Sequence, residues 1–270
     1  MSDRVKVTVE DGVADVRMVR ADKMNAIDPA MFLALTATGE ELKSRADVRA
    51  VVLSGEGRAF CAGLDMESMA QLAAPANEPR DTVLDDAAKR TEAGANLAQQ
   101  AAYVWRELPV PVIAAVHGVA YGGGFQIALG ADIRIVAPDA RLAVLEIKWG
   151  LIPDMSGMVL LRGLVRDDVA RELTWTGRIL GGEEAVSLGV ATRVADDPHA
   201  EALALAREIA GKSPDAIRAG KRLLNLIQTD ATAKDVFLAE SLEQRALIGS
   251  PNQTEAVMAN LEKRPPSFAD

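Results

Sequence analysis

Residues 112–129, VIAAVHGVAYGGGFQIAL, are the stretch that decides the fold. The apolar run at 112–116 is typical of a strand covered on both faces, and residues 125–129 resume a helical pattern. Between them, the consecutive glycines at 122–124 leave backbone N–H groups free of Cβ interference. The stretch predicts a strand that passes into a helix, with the glycines forming either a tight turn or an anion-stabilising site at the helix N-terminus.

The glycines do not match the common nucleotide-binding motifs. Gly118 and the glycines at 122–124 lack the G-x-G-x-x-G spacing, and neither G-x-x-x-x-G-K-[ST] nor G-x-S-x-G occurs in the sequence. A dinucleotide-binding turn is therefore not predicted.

Outward from this stretch, strands and helices alternate until about residue 157, and the pattern after that is mainly helical apart from a short extended piece near 190–194. Residues 5–9 and 13–19 predict a hairpin, and Asp28 with Pro29 predicts the start of the first helix. Further strands are predicted at 50–53, 133–136, 142–145 and near 190–194; further helices from about residue 65 and at 83–107, 200–211, 214–228, 232–248 and 251–262; and a surface loop at 73–82.

This order predicts an α/β fold in two parts. Residues 1–200 form the body, and residues 201–270 form a C-terminal helical region that is a separate layer or an oligomer contact. The 270 residues, 49% hydrophobic, fit one large domain or a core with a smaller helical appendage.

Composition argues against several classes of protein. The formal net charge of −9 disfavours nucleic-acid or anionic-membrane binding, because phosphate neutralisation needs clustered Lys and Arg. With Cys61 as the single cysteine and two histidines, no internal disulfide can form and no metal site is predicted. No secretory signal and no apolar run near the roughly 20 residues that span a bilayer are present, which predicts a cytoplasmic protein without a membrane segment.

Two carboxylates are embedded in apolar sequence. Glu146 lies inside LAVLEI and Asp154 follows LIP. Desolvation there would raise the pKa of each acid and suit it to proton transfer near neutral pH. The alternative is an exposed strand-edge Glu and a helix N-cap Asp.

Other candidate side chains have ordinary interpretations. A second small-residue turn at 60–66, FCAGLDM, would also leave N–H groups free, and its Cys61 is interpreted as a buried filler rather than a nucleophile. His117 is interpreted as a hydrogen-bonded structural residue and His199 as a surface residue.

Taken together, these segments resemble the enoyl-CoA hydratase/isomerase (crotonase) superfamily, in order over most of the chain. The matching segments are 24–27 (MNAI), 60–65 (FCAGLD), 117–125 (HGVAYGGGF), 130–134 (GADIR) and 146–153 (EIKWGLIP). The resemblance implies a spiral of strand-strand-helix turns, with the C-terminal helices joining subunits into a homotrimer or a dimer of trimers. It also implies an acyl-CoA thioester as substrate and no metal or separate cofactor, since coenzyme A is part of the substrate.

The resemblance assigns binding roles to backbone groups. The N–H groups of Leu64 and Gly123 correspond to the two donors that hold the thioester oxygen. Lys23, Met24, Ala62 and Leu64 fall in segments that cradle the nucleotide end of coenzyme A. For the phosphates, the candidate cations are Lys23, Arg58, Lys212, Lys221 and Arg222.

The resemblance also leaves three functions open. Hydratases carry glutamates at the positions of Gln126 and Glu146, so one acid is missing here, because Gln126 cannot accept a proton. The dienoyl-CoA isomerase branch carries acids at the positions of Glu146 and Asp154, although it has Asp in place of Gln126. Double-bond isomerisation of a dienoyl-CoA or enoyl-CoA is the leading hypothesis. The alternatives are an enoyl-CoA hydratase that uses Glu146 alone, with Gln126 positioning water, and a noncatalytic acyl-CoA-binding protein.

Overall fold

A computed structural model describes residues 3–72 and 89–270. Within these ranges one sheet has six strands in the order β1-β2-β3-β4-β6-β9, and a smaller sheet has the order β5-β7-β8. The strands are β1 (Val5–Glu10), β2 (Val13–Met18), β3 (Ala50–Gly55), β4 (Val112–Val116), β5 (Val119–Tyr121), β6 (Ile133–Val136), β7 (Arg141–Ala143), β8 (Leu180–Gly181) and β9 (Arg193–Val194). The predicted hairpin is confirmed, because β1 and β2 pair antiparallel with Val5 opposite Met18.

The helices of the described residues cover the sheets and extend beyond them. They are α1 (Pro29–Lys43), α2 (Met66–Leu72), α3 (Leu97–Glu107), α4 (Gly123–Gly130), α5 (Gly157–Leu161), α6 (Asp167–Thr176), α7 (Gly182–Ser187), α8 (Pro198–Ala210), α9 (Pro214–Leu226), α10 (Ala233–Leu247) and α11 (Pro251–Glu262). The start of α1 is as predicted, because the Asp28 side chain accepts a hydrogen bond from the Met31 N–H at 2.8 Å.

Strand β4 is covered on both faces, as its apolar run predicts. Val112, Ala114 and Val116 belong to the larger core cluster, which also contains buried side chains of α1, α3 and α4. Ile113 and Ala115 belong to a second cluster, which contains Ala202, Ala206 and Ala210 of α8. The main sheet therefore lies between two helical layers, because alternate residues of a strand point to opposite faces.

Helix α8 runs through residue 200, where the sequence predicted a division into body and helical region, and that division stays a prediction. The four predicted C-terminal helices are present as α8 to α11. Large apolar side chains remain exposed on and beside α10 and α11: Phe237, Leu238, Leu242, Ile248, Val257, Met258 and Leu261. Across residues 3–72 and 89–270, no helix is both long enough and apolar enough to cross a membrane.

The long helix predicted at 83–107 is wrong over its described part. Residues 89–96 are not helical, and α3 begins at Leu97. Asn96 caps it, because its side chain accepts from the Gln99 N–H at 2.8 Å while the Gln99 side chain accepts from the Asn96 N–H at 2.9 Å. Gly94 turns the chain just before, with φ of 84°. Residues 83–88 and the loop predicted at 73–82 lie outside the described residues.

Two predicted strands are shorter than expected. The strand predicted at 142–145 ends at Ala143, and Glu146 lies on a 3₁₀ turn, Glu146–Trp149, that Gly150 closes with φ of 69°. The extended piece predicted near 190–194 contains only β9. The turn at 146–149 places Glu146 beside α4 instead of at a strand edge.

Candidate active site

An open cavity of about 400 Å³ lies where α1, α2, the start of α4 and the 3₁₀ turn meet. Its wall includes five predicted site residues: Ala62, Leu64, Gly123, Glu146 and Asp154. Most of the remaining wall is apolar: Pro29, Phe32, Met66, Met69, Leu72, Ala98, Tyr121, Trp149, Leu151, Ile152 and Met155. A cavity of this size with few polar groups suits an apolar small-molecule substrate.

Backbone hydrogen bonds bring the small-residue turn at 60–66 against the glycine run. The Cys61 N–H donates to the Val119 carbonyl at 3.0 Å, and the Tyr121 N–H donates to the Cys61 carbonyl at 3.1 Å. A Cβ atom at Gly63 would lie 2.7 Å from the Tyr121 carbonyl oxygen and 3.7 Å from the Gly123 nitrogen. The peptide that precedes Leu64 is therefore next to the first residue of α4.

Two N–H groups on this wall have no acceptor within the described part of the chain. Among the described residues, neither the Leu64 nor the Gly123 N–H donates a hydrogen bond to the protein. Gly123 is the first residue of α4, where N–H groups lack an intrahelical partner and the helix dipole favours negative charge. Both amides line the cavity and are available to a ligand oxygen.

The orientation of Leu64 is fixed by its neighbours. The Ile27 N–H donates to the Gly63 carbonyl at 2.8 Å, and the Asp65 N–H donates to the Ile27 carbonyl at 2.9 Å. Arg20 holds this pairing through Nη1, which donates to Asp65 Oδ2 at 2.7 Å and to the Ala26 carbonyl at 2.9 Å. With both flanking groups paired to residue 27, the Leu64 N–H faces the other side of the chain.

The glycine run is needed for this close approach. A Cβ atom at Gly124 would lie 2.3 Å from the Cys61 carbonyl oxygen, closer than any real contact, and Gly122 has φ of 52°. The tight turn is therefore present and directs the Gly123 amide toward the cavity, while the anion-stabilising role of the glycines stays a prediction.

Glu146 is buried beside the glycine run. Its Oε1 accepts a hydrogen bond from Gln126 Nε2 at 2.6 Å, whereas its Oε2 has no partner among the described residues. A Cβ atom at Gly122 would lie 3.3 Å from Oε1. Burial raises the pKa of Glu146, the nearby charge of Asp154 raises it further, and the Gln126 hydrogen bond opposes the rise.

Asp154 lines the same cavity from the segment that follows the 3₁₀ turn. Its side chain is accessible from the cavity but lies among apolar neighbours such as Ile152 and Met155. Burial raises the pKa of Asp154. The N-cap role considered for Asp154 is not observed, since α5 begins at Gly157 and follows Ser156.

Because the pKa of Asp154 is raised in the folded protein, ionisation of this carboxyl group should lower the free energy of unfolding. Asp154→Asn is expected to stabilise the protein at pH 8 by about 1 kcal/mol or less, because the carboxyl group stays open to solvent. Asp154 keeps its proton to higher pH in the folded state than in the unfolded state. The difference in free energy of unfolding between wild type and Asp154→Asn should therefore grow as the pH rises through the folded pKa, and it should vanish below about pH 4. Thermal melts at pH 8 and pH 3.5 check this; an equal difference at both would contradict it.

Gln126 lies behind the residues that line the cavity and is not one of them. Its Oε1 accepts from the Met155 N–H at 2.9 Å and the Gly157 N–H at 2.8 Å, while Nε2 donates to Glu146. A Cβ atom at Gly157 would lie 2.6 Å from that oxygen, so the glycine permits the contact. No local sequence pattern predicts the Met155 and Gly157 contacts, which join segments about 30 residues apart.

The residues assigned to the coenzyme are partly brought together. The Ala62 N–H donates to the Met24 carbonyl at 2.9 Å, which joins these two, but Lys23 is exposed on the 3₁₀ turn Ala21–Lys23 and does not line the cavity. Lys221 is buried, with Nζ 2.7 Å from Asp132 Oδ2. Of the other cations, Arg222 pairs with Glu243 and Lys212 with Glu208, and Arg58 is exposed.

The side chains of Cys61, His117 and His199 are not among the described residues that line the cavity. Cys61 is fully buried, its Sγ donates to the Asn25 carbonyl at 3.1 Å, and burial raises its pKa to about 12, which fits a filler. His117 Nε2 lies 2.9 Å from the Gly57 carbonyl, and His199 Nε2 lies 3.0 Å from Asp15 Oδ1. Over the described ranges, no three His, Cys, Asp or Glu side chains are grouped so as to hold a metal ion.

Comparisons with known proteins agree over nearly the whole chain. The family model described as enoyl-CoA hydratase/isomerase matches residues 8–270. The mitochondrial Delta(3,5)-Delta(2,4)-dienoyl-CoA isomerase of Mus musculus is 32% identical over 276 residues, which cover 97% of this chain and 80% of the relative. Methylglutaconyl-CoA hydratase of the same organism is 29% identical and covers 95% of this chain and 79% of the relative. A crystal structure of enoyl-CoA hydratase from Bacillus anthracis superposes with a TM-score of 0.87 at 27% identity, covering 98% of this chain and 99% of that one.

Proposed function

The chain belongs to the enoyl-CoA hydratase/isomerase family, and from that premise we propose that it is an enzyme that isomerises a double bond of an unsaturated acyl-CoA. The crotonase-type α/β fold expected from the sequence is confirmed. The proposed substrate is the acyl-CoA thioester, with no separate cofactor.

The observation that carries the proposal is the pair of carboxyl groups on one cavity wall. Glu146 and Asp154 both line the cavity and both have raised pKa values, with the charge of Asp154 acting on Glu146. Burial that raises both pKa values brings each acid closer to neutral pH, where one can act as base while the other acts as acid. Double-bond migration needs that combination, because a proton leaves one carbon and another returns elsewhere.

In the proposed reaction, one carboxylate takes a proton from a carbon conjugated with the thioester carbonyl. The C–H electron pair moves into the conjugated system and onto the thioester oxygen, where the Leu64 and Gly123 N–H groups donate hydrogen bonds. The second acid then protonates the far carbon, and the electron pair returns from the oxygen to close the new double bond. Proton exchange between the acids or with solvent restores the starting state.

The experiment is a direct assay with purified protein. A dienoyl-CoA is mixed with the enzyme and the change in conjugation is followed by absorbance; we expect turnover. Hydration of a short enoyl-CoA is measured in parallel. No turnover of the dienoyl-CoA, together with rapid hydration of the enoyl-CoA, would overturn the proposal.

A hydratase that uses Glu146 alone is the second candidate. It is favoured by relatives named as hydratases, including the Bacillus anthracis structure. In that reaction the unpartnered Glu146 Oε2 would take the proton of the attacking water. Gln126 offers little help, since its only acceptor atom already receives two backbone N–H groups.

We also propose that the exposed apolar side chains of α10 and α11 contact other copies of the chain in a homotrimer or a dimer of trimers. Exposed clusters of large apolar residues are unfavourable in a monomer and typical of an interface. Light scattering should give three or six times the mass of one chain. A monomeric mass at micromolar concentration would contradict this proposal.

A further inference from the structure

Gln126 is the side chain that touches both acid-bearing segments of the cavity. It lies in the first turn of α4 and is 1% exposed. One end of its amide donates to Glu146, and the other end accepts from the residues on either side of Ser156, in the segment that carries Asp154. The amide therefore spans two segments whose relative position decides where the carboxyl groups meet a substrate.

The hydrogen bond from Gln126 makes the two oxygens of Glu146 unequal. Oε1 is held by Nε2 at 2.6 Å, whereas Oε2 is buried and has no partner among the described residues. A buried carboxylate oxygen without a partner is costly, and it is the oxygen that gains most from binding a proton. The Gln126 hydrogen bond therefore leaves Oε2 as the Glu146 oxygen without a donor among the described residues.

In this chain, Gln126→Glu would replace the donor to Glu146 with a second acid. Its oxygen facing the Met155 and Gly157 N–H groups would be stabilised as an anion, because two donors favour the charged form. Its other oxygen would then face Glu146 Oε1 at a distance near 2.6 Å, and two carboxyl groups so close must share a proton. The two acids would then titrate as a pair, and the protonation of Glu146 would no longer be set by a neutral donor.

We propose that Gln126 is a positioning residue that holds Glu146 and the Asp154 segment in register and reserves Glu146 Oε2 for proton transfer. This inference rests on the proposed function for its role in turnover, although the contacts themselves do not depend on substrate. Gln126 is not among the described residues that line the cavity, which fits a role exerted through Glu146 and the Asp154 segment.

The test compares Gln126→Glu and Gln126→Met with Gln100→Met. Gln100 is a matched control, because it is also 1% exposed and its Nε2 donates to two carboxylates, Glu40 and Glu107, away from the cavity. Gln126→Glu keeps an oxygen for the Met155 and Gly157 N–H groups, so it tests the proposal even if Gln126→Met folds poorly. Circular dichroism identifies the folded variants.

The first readout is the titration of Glu146 without substrate. The infrared carboxyl band that disappears in Glu146→Gln reports its protonation. We expect its apparent pKa to rise by about one unit or more in both Gln126 variants, because a donor is lost in one and an acid is added in the other. The charge of Asp154 also acts on Glu146, so the titration is repeated in the Asp154→Asn background to separate that effect. Lys148, on the same turn as Glu146, is exposed and lies over the Trp149 ring.

The second readout is the pH dependence of dienoyl-CoA isomerisation. We expect kcat at pH 7 to fall about tenfold or more in the Gln126 variants and the acidic limb to move to higher pH, with KM little changed. An unchanged Glu146 titration in Gln126→Glu, or an equal shift in Gln100→Met, would overturn the inference. If the wild-type protein isomerises nothing, the proposed function fails, while the titration still decides the role of Gln126.

Discussion

Glu146→Gln should lower kcat for isomerisation by about 10²–10⁴-fold, the range usual for loss of a general acid or base. The amide has nearly the shape of the carboxyl group and can still meet the Gln126 amide, but it cannot take a proton at Oε2. Because the wall of the cavity is otherwise unchanged, KM should move little. Steady-state kinetics with a dienoyl-CoA measures both constants.

Asp154 separates isomerisation from hydration in the same experiment. An isomerase that moves a proton between two acids should lose a similar factor in Asp154→Asn, whereas a hydratase that uses Glu146 alone should keep much of its activity. Glu183→Gln, an exposed change in the first turn of α7, is the control and should behave as wild type. Full isomerase activity in Glu146→Gln would remove this residue from the mechanism.

Gly123→Pro should lower kcat by about 10²–10³-fold, the cost usual for one lost oxyanion donor. Proline has no N–H, and its ring carbon would occupy the place of the hydrogen that faces the cavity. The helix backbone should accept proline, because Gly123 is the first residue of α4, a position where proline is common, although the added Cβ requires Met155 and Ile27 to shift. Kinetics with the dienoyl-CoA and a thermal melt together check both expectations.

Gly123→Ala is the matched control for that substitution. A Cβ atom at this position would lie 2.6 Å from Met155 Sδ and 2.9 Å from Ile27 Cδ1, in alanine and proline alike. Alanine keeps the N–H group. The additional loss of kcat in Gly123→Pro relative to Gly123→Ala therefore measures the missing donor and the blocked space in front of it. Equal activity of the two variants would show that the Gly123 amide does not hold the thioester oxygen.

Much of the fold could be predicted because short-range signals determine it. The alternation in β1 and β2, the Asp28 cap with Pro29, and the apolar run of β4 each express their structure within a few residues. The helix prediction at 83–107 was wrong over 89–96, because helix-forming side chains there are interrupted by a glycine turn and an N-terminal cap. Gly94 and the Asn96 capping box set the start of α3 at Leu97.

The candidate site divides in the same way. Glu146, Asp154 and the glycine run could be selected from the sequence, because an acid in apolar sequence and consecutive glycines are unusual locally. The proposed positioning role of Gln126 could not be predicted in this way. Its chemistry depends on the Met155 and Gly157 N–H groups, which lie 29 and 31 residues away along the chain.

The sequence by itself determined which groups are available: a fold of alternating strands and helices, two acids, and amides without neighbouring side chains. Only the tertiary structure decided which of these groups meet. Pairing of Ile27 with Gly63 and Asp65 brings the Leu64 amide next to α4. Burial beside α4 leaves one oxygen of Glu146 without a hydrogen-bond partner in residues 3–72 and 89–270. The physical reason is that hydrogen bonds and desolvation act over a few ångströms, and residues that close are often far apart in the chain.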